Sequence, residues 1–176
     1  MLKIFNILLL SLAIISCSET KIKTYKKVDP YTGPQVISND LDVVFTDSAK
    51  TSMKMKAKKQ IILQNDNQEF TEGFALEFYN DDEKVYSTLN SNYAFYDQNL
   101  DKWHIKGKVV VKNTEKGQML ETEDLFWTPK SGSILVEDKH AVKITEPDQV
   151  LYGMGLQAKD DFSYYKIKKP TGMRFL

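Results

Sequence analysis

The sequence is poor in the residues that usually build a chemical centre. It has one cysteine, so no internal disulfide can form, and only two histidines, neither of which falls in a metal-ligand spacing. No glycine-rich phosphate loop, nucleophile elbow or redox cysteine pair is present. The 24 basic and 24 acidic residues balance, whereas a nucleic-acid partner requires a basic face. The sequence therefore predicts no cofactor, no metal site and no nucleic-acid partner.

Long apolar runs are also scarce, and the clearest one stands at the N-terminus. It extends from Ile4 to Ile15, which is shorter than the roughly 20 residues that a helix needs to cross a membrane. With the short basic start before it, this segment is typical of a secretory signal peptide. Cys17 follows almost directly and resembles the lipobox cysteine of bacterial lipoproteins, although Ile14 and Ile15 replace the leucine and small residue usual there. We predict that residues 1–16 are removed and that Cys17 is acylated as a membrane anchor; the alternative is a retained segment with a free thiol.

The segment after the cysteine is polar. Residues 17–34 contain a cluster of lysines followed by proline and glycine, which is typical of a tether. The lysines either form a solvated linker or attract anionic lipid headgroups. Residues 35–176 are then expected to form one domain, which is long enough to bury a core without disulfides.

Beyond Pro34 the apolar residues recur with the period of two that is typical of β-strands, and no window predicts an amphipathic helix. From Trp103 to Val111 the odd-numbered residues are apolar or glycine, and most even-numbered residues are polar, so one face is expected to be buried. Turn sequences separate similar runs at 41–46, 52–63, 74–79, 85–96, 119–127, 133–136, 141–145, 150–158 and 164–168. The predicted fold class is all-β.

A repeat of about 31 residues runs through these strands. It makes Leu89 equivalent to Leu120 and Leu151, and similar matches relate aromatic and β-branched positions further on. The further equivalent positions are Phe95 with Phe126, Tyr96 with Trp127, Trp103 with Ile134 and Tyr165, and Ile105 with Val136 and Ile167. Each copy reads as a hairpin, and stacked hairpins bury a continuous interior between neighbours.

The arrangement of residues 89–96, 103–111 and 120–127 resembles the LptC family, which is related to LptA and OstA, and the resemblance extends from about Gly33 to the C-terminus. It implies a twisted, open β-jelly roll of stacked antiparallel hairpins, whose slot accepts the acyl chains of lipopolysaccharide or lipooligosaccharide. It also implies cargo received from an inner-membrane ABC exporter and passed to a periplasmic LptA-like bridge protein by edge-strand pairing. Many relatives carry a transmembrane helix where this chain has Cys17, so its contact with the exporter stays open. The resemblance favours a periplasmic location with an inner-membrane anchor over an outer-membrane one.

Parity assigns the predicted lipid-binding groove to one face of the strands. The groove residues are Leu89, Tyr93, Phe95, Ile105, Val109, Val111, Leu120, Phe126, Val136, Val142, Ile144, Leu151 and Ile167. The same residues could instead fill an ordinary closed core, because sheets about 10 Å apart leave no room for a ligand. Gly107, Gly153 and Gly155 mark either backbone bends or a docking surface. Leu125 and Trp127 fall on the opposite parity from Leu120, which requires a bulge or an apolar outer patch.

Catalytic residues are not predicted. His104 and His140 are isolated, and the acidic cluster of Glu121, Glu123 and Asp124 reads as a solvated strand face rather than as paired catalytic carboxylates. The main hypothesis is therefore a non-catalytic lipopolysaccharide transport protein. The alternative is a structural envelope lipoprotein that binds partners by strand pairing and carries no lipid. An enzyme acting on envelope glycans would need a polar cluster that the sequence does not display.

Overall fold

The computed structural model describes residues 29–175, and the predicted signal peptide, Cys17 and most of the predicted tether lie outside them. The described residues form eleven strands, which confirms the all-β prediction. The strands are β1 (Val36–Asp47), β2 (Lys50–Ile62), β3 (Gln68–Phe70), β4 (Phe74–Tyr79), β5 (Val85–Ser91), β6 (Tyr93–Asp97), β7 (Lys102–Asn113), β8 (Gln118–Thr128), β9 (Ser133–Glu146), β10 (Gln149–Lys159) and β11 (Tyr165–Arg174). Within this part of the chain, no helix has the length and apolar character to span a membrane.

All eleven strands belong to one antiparallel sheet, in the order β11-β10-β9-β8-β7-β5-β4-β2-β3-β6, with β1 paired to β2 and β6 also paired to β7. Strands β7 and β2 each pair with two different strands along the same edge. The first part of β7 pairs with β6 and its last part with β5, while β2 pairs with β4 and then with β3. The sheet is thus folded into two layers: β3 and β6 lie in layer A, β4 and β5 lie in layer B, and the long strands pass from one layer to the other.

The line at which the strands change layer is here named the crease, and it is marked by register shifts. In β7 the pairing with β8 slips between Lys106 and Val109, and Gly107 there has a φ of 74°. A Cβ at this glycine would lie 3.1 Å from the side chain of Asn92. In β10 the register shift falls between Met154 and Leu156, around Gly155, which has a φ of 69°. Glycine permits these bends because it lacks the Cβ that disfavours positive φ.

In β8, and between β5 and β6, crossing the crease inverts the alternation of buried and exposed residues, whereas β7 and β9 bury the same parity on both sides. Between β5 and β6, the successive residues Asn92 and Tyr93 both lie outside the core, and in β8 the successive residues Glu123 and Asp124 do the same. The residue after each pair, Ala94 or Leu125, is fully buried. In these strands, parity read on one side of the crease therefore gives the wrong face on the other side.

The predicted 31-residue hairpin repeat is confirmed by the strand register. Tyr96 pairs with Trp103, Trp127 with Ile134, and Ala158 with Tyr165, so each hairpin closes with the same spacing. These hairpins place one apolar face of each layer toward the other layer. The buried apolar core they form consists of Met55, Ala57, Phe70, Phe74, Leu76, Leu89, Ala94, Trp103, Ile105, Val109, Val111, Leu120, Leu125, Trp127, Ile134, Val136, Val142, Ile144, Leu156, Ala158 and Phe162.

Candidate functional site: the interior between the two layers

The interior contains a cavity of about 120 Å³ between the layers. Layer B contributes Phe78, Leu89 and Val111 to its walls, and layer A contributes Leu125, Trp127 and Ile134. Tyr86, Ser87, Asp160 and Asp161 complete the lining. The cavity is small beside the roughly 300–1,000 Å³ of typical ligand pockets. In the described state this cavity, walled by side chains of both layers, is too small for a fatty chain.

A series of aromatic rings crosses this interior. Phe70 and Phe74 both pack on Trp103, with ring centroids 5.7 and 5.1 Å away. Trp103 stacks on Trp127 at 6.3 Å, and Trp127 meets Phe78 of layer B edge-on at 5.7 Å. Such offset and edge-on contacts are the arrangements that aromatic rings prefer. The rings make one apolar surface that reaches from β3 to the cavity.

Most of the predicted groove residues face this interior. Those buried in the core are Leu89, Ile105, Val109, Val111, Leu120, Val136, Val142 and Ile144, and Leu151 and Ile167 pack against it while partly exposed. Among these ten, Leu89 and Val111 line the cavity. The fold thus collects them on the inner faces of both layers.

The predicted inward orientation is wrong for three residues. Tyr93, Phe95 and Phe126 lie outside the buried core, because β6 and the last part of β8 follow the inversion at the crease. Leu125 and Trp127 point inward instead, so the bend explains their parity and no apolar outer patch is needed for them.

The outer face of layer A brings Phe126 together with polar residues. Its ring stacks on His104 with centroids 4.0 Å apart, and the Lys102 ammonium lies 4.2 Å from its centroid. His104 Nε2 contacts the Asp124 carboxylate at 2.9 Å. The histidine is therefore paired on this face rather than isolated, and the stack covers part of the exposed ring.

The acidic residues 121, 123 and 124 do not converge. The Glu121 carboxylate pairs with Lys143 at 2.6 Å, and the Glu123 carboxylate accepts a hydrogen bond from the backbone N–H of Lys108 at 3.2 Å. With Asp124 turned to His104, each carboxylate has its own partner. Within residues 29–175, no group of three or more histidine, cysteine or acidic side chains is placed to hold a metal ion.

The turns of the two layers meet opposite the crease, along a line here named the mouth. Over the cavity, the Lys116 ammonium of layer B lies 3.9 Å from the Asp161 carboxylate of layer A. Hydrogen bonds from Ser163, together with Lys116, hold the pKa of Asp161 below its ordinary value. Nearby, burial, reinforced by the charge and hydrogen bond of Glu146, raises the pKa of Tyr165 to about 12. These contacts join layer A to layer B across the mouth.

Sequence reasoning missed several residues of the interior. Phe78, Tyr86 and Ile134 line the cavity, and Phe70 belongs to the three-residue strand β3, which was not predicted. The alternation in residues 74–79 could have assigned Phe78 to the inner face, because Phe74, Leu76 and Phe78 share a parity. No local pattern marks β3, since its length leaves no period to read.

A folded antiparallel sheet with an apolar interior and two unpaired outer edges defines a protein of the β-jelly-roll class. More particularly, the chain belongs to the LptC-related lipopolysaccharide-assembly family, whose sequence model matches residues 5–169. No curated protein matches the chain. Membership gives it a role in lipopolysaccharide transport, in a family of periplasmic envelope proteins.

Proposed function

We propose that this protein holds the acyl chains of lipopolysaccharide or lipooligosaccharide between layers A and B while the cargo crosses the periplasm. The observation that carries the proposal is the continuous apolar interior, with ten of the thirteen predicted groove residues on its walls. Each methylene moved from water into such an interior gains roughly 0.8 kcal/mol. A polyacylated glycolipid therefore favours this environment strongly over water.

Loading requires the two layers to separate. The cavity of about 120 Å³ cannot take a fatty chain in the described state, so the inner side chains must move when cargo enters. The layers are joined covalently only through backbone at the crease, and turns face each other at the mouth. Separation at the mouth is the change that leaves most strand pairing intact.

Receipt and handover follow from the sheet edges. β1 and β11 each pair with one neighbour, so each has an outer edge with unpaired backbone groups. We propose that the protein receives its cargo from an inner-membrane ABC exporter and passes it to a periplasmic LptA-like bridge protein that pairs with one of these edges. The exporter supplies the energy, because a passive groove only equilibrates its cargo.

Membrane attachment is proposed through an acyl group on Cys17 after removal of residues 1–16, with residues 17–34 as the tether to the domain. The likeness to the LptC family favours an anchor in the inner membrane, with the domain in the periplasm. Mass spectrometry of the N-terminal peptide from the native host tests the acylation directly. An acylated Cys17 peptide is expected, and an unmodified peptide that begins before residue 17 would contradict the anchor.

The scaffold role without lipid cargo remains the second candidate, and the small size of the cavity favours it. The two are separated by in-cell photocrosslinking from neighbouring residues on opposite faces of β8. A photoreactive residue at Leu125, on the inner face, is expected to form lipopolysaccharide adducts, whereas the same residue at Phe126, on the outer face, is expected to form few. Equal labelling at both sites, or none at Leu125 in a folded protein, would overturn lipid carriage and leave the scaffold.

A further inference from the structure

The turn between β10 and β11 differs from its two counterparts in the repeat. Phe162 in this turn is only 3% exposed and belongs to the core cluster. The residues 62 and 31 positions earlier are Leu100, which is 67% exposed, and Ser131, which is also exposed. Burial of an apolar residue at the tip is therefore a property of this one turn.

The backbone of this turn also departs from the repeat. In the first two turns a positive φ falls at the equivalent residues Asp101 and Gly132, with values of 47° and 57°. In the third turn it falls one position earlier, at Phe162, with a φ of 54°. A bulky residue in the left-handed region is strained, and such strain persists only where the surroundings hold it.

Hydrogen bonds tie this turn to the neighbouring turn of layer A, from the Asp160 N–H to the Gly132 carbonyl at 3.0 Å and from the Lys159 ammonium to the Ser131 carbonyl at 3.1 Å. Two further contacts hold it over the mouth. The Trp127 indole N–H donates to the Asp160 carboxylate at 3.4 Å, within layer A. The Lys116 ammonium pairs with the Asp161 carboxylate and also donates to its backbone carbonyl. Because Lys116 belongs to the turn between β7 and β8 on the side of layer B, the second contact bridges the two layers.

The interior cavity lies directly beneath this turn. Asp160 and Asp161 form part of its lining, beside Tyr86 and Trp127. The turn therefore forms part of the rim between the cavity and solvent, and the Phe162 side chain next to Asp161 is buried in the core. Moving it aside would widen the opening to the apolar interior; it would break the hydrogen bond from the Asp160 N–H to the Gly132 carbonyl and leave the pairing between β8 and β9 intact.

We propose that Phe162 is a plug that closes the mouth of the interior, and that the Lys116–Asp161 pair is the latch that keeps it closed. This inference rests on the proposed lipid-carrying function and names the residues that control entry of an acyl chain. Cargo binds only the open state, so the closed population lowers the apparent affinity and the loading rate in proportion.

The expected effects follow from the strength of each contact. Lys116 and Asp161 are 41% and 57% exposed, and an exposed ion pair shifts such an equilibrium by about 1.5- to 5-fold. Lys116→Met and Asp161→Asn should each raise the rate of lipopolysaccharide loading by about that factor. Their combination should add little to either single change, and Lys116→Arg should retain the wild-type rate. Phe162→Ala should accelerate loading by about tenfold or more, because it removes the buried ring itself.

The test uses the full chain in phosphatidylethanolamine vesicles with fluorescent lipopolysaccharide, followed by stopped flow and by equilibrium stoichiometry. Gly73→Ala is the control for lost stability, because its φ of 93° disfavours a Cβ and the substitution removes no side chain of the interior. It should lower the melting temperature as Phe162→Ala does and leave the loading rate unaccelerated. The latch variants retain every core side chain, so they test the gate even if Phe162→Ala does not fold.

The outcomes distinguish the proposed gate, which is the Phe162 plug with its Lys116–Asp161 latch, from the proposed lipid-carrying function. If the wild type loads lipopolysaccharide and both latch variants and Phe162→Ala load at its rate, the gate is refuted and lipid carriage stands. If Gly73→Ala accelerates loading as much as Phe162→Ala, general loosening of the domain explains the effect and the gate is refuted. If the wild type takes up no lipopolysaccharide at all, the proposed function fails, and the gate fails with it.

Discussion

Gly153 in β10 is required by close packing rather than by an unusual backbone. A Cβ at this position would lie 2.1 Å from Cγ2 of Ile167 and 2.7 Å from the carbonyl oxygen of Lys168 on the neighbouring edge strand. Gly73, between β3 and β4, presents the opposite case. It has a φ of 93° and no atom within 4 Å of an added Cβ. Substituting Gly153 therefore tests steric contact alone, and substituting Gly73 tests backbone strain alone.

Gly153→Ala is expected to destabilise the domain by about 1–3 kcal/mol, the usual cost of overpacking, and to loosen β11. Gly73→Ala should cost about 1–2 kcal/mol through backbone strain alone and leave β11 protected. Urea unfolding measures both costs, and amide hydrogen exchange in residues 165–174 reports the state of β11. Unchanged exchange in β11 of Gly153→Ala would contradict the packing account.

Tyr165 gives the domain a pH dependence in the alkaline range. Its pKa is raised to about 12 in the folded state, first by burial and then by Glu146, whereas the unfolded value is near 10. A raised folded pKa means that the stabilisation is complete below pH 10 and is lost as pH rises through 12. Tyr165→Phe should remove this loss, which is about 1 kcal/mol for a partly exposed group. Urea unfolding of both proteins at pH 9 and pH 11.5 measures it, and parallel losses in the two would refute the assignment.

At the level of elements, β8 shows how a strand changes the face it buries. Before the crease it buries Leu120, an even-numbered residue, and after the crease it buries Leu125 and Trp127. β5 and β6 make the same change across Asn92 and Tyr93. The bend places two successive residues on the outside, which shifts the alternation by one.

Adjacent substitutions in β8 test this inversion. Leu125→Ala should cost about 2–5 kcal/mol, because the side chain is fully buried beside the cavity. Phe126→Ala should cost about 1 kcal/mol although the ring is larger, since it lies on the outer face against His104. Chemical denaturation of the two variants gives the comparison. A larger loss for Phe126→Ala would place the ring inside and refute the assigned faces.

The period of the sequence was sufficient to predict most strands and the hairpin repeat. It was insufficient near the crease, where residues 137–140 were taken as a break between two strands and instead belong to the single strand β9. The same limit of strand period near the crease explains which of the thirteen predicted groove residues face inward and which do not. The ten that face inward lie where the strand keeps the parity that was read, including both sides of the crease in β7 and β9, and Tyr93, Phe95 and Phe126 lie past the inversion in β6 and β8.

At the level of the whole molecule, the two unpaired edges lie on β1 and β11. β1 follows the segment proposed to carry the anchor, which leaves β11 as the edge we propose for the bridge protein. Successive N–H groups of β11 point alternately toward β10 and away from it. A proline therefore either breaks a bond inside the sheet or removes only an outward donor.

Lys166→Pro and Ile167→Pro form a matched pair for this edge. One of them should lose about 1–3 kcal/mol of stability with its bond to β10, and the other should keep that bond; Ile167→Ala measures the side-chain packing that Ile167→Pro also removes. The stable variant should still lose capture of the purified bridge protein, because pairing needs the outward N–H. Thermal unfolding identifies which variant is which. Wild-type capture by the stable variant would exclude β11 as the docking edge.

The sequence by itself determined the strand content, the hairpin repeat and membership of the LptC-related family, because each is written in local periodicity and in the order of residues along the chain. Only the tertiary structure decided which residues lie inside after each bend, how little space remains between the layers, and that Phe162 turns inward at the mouth. These features depend on where the sheet folds on itself and on contacts between residues distant in the chain. No window of sequence contains both sides of such a contact.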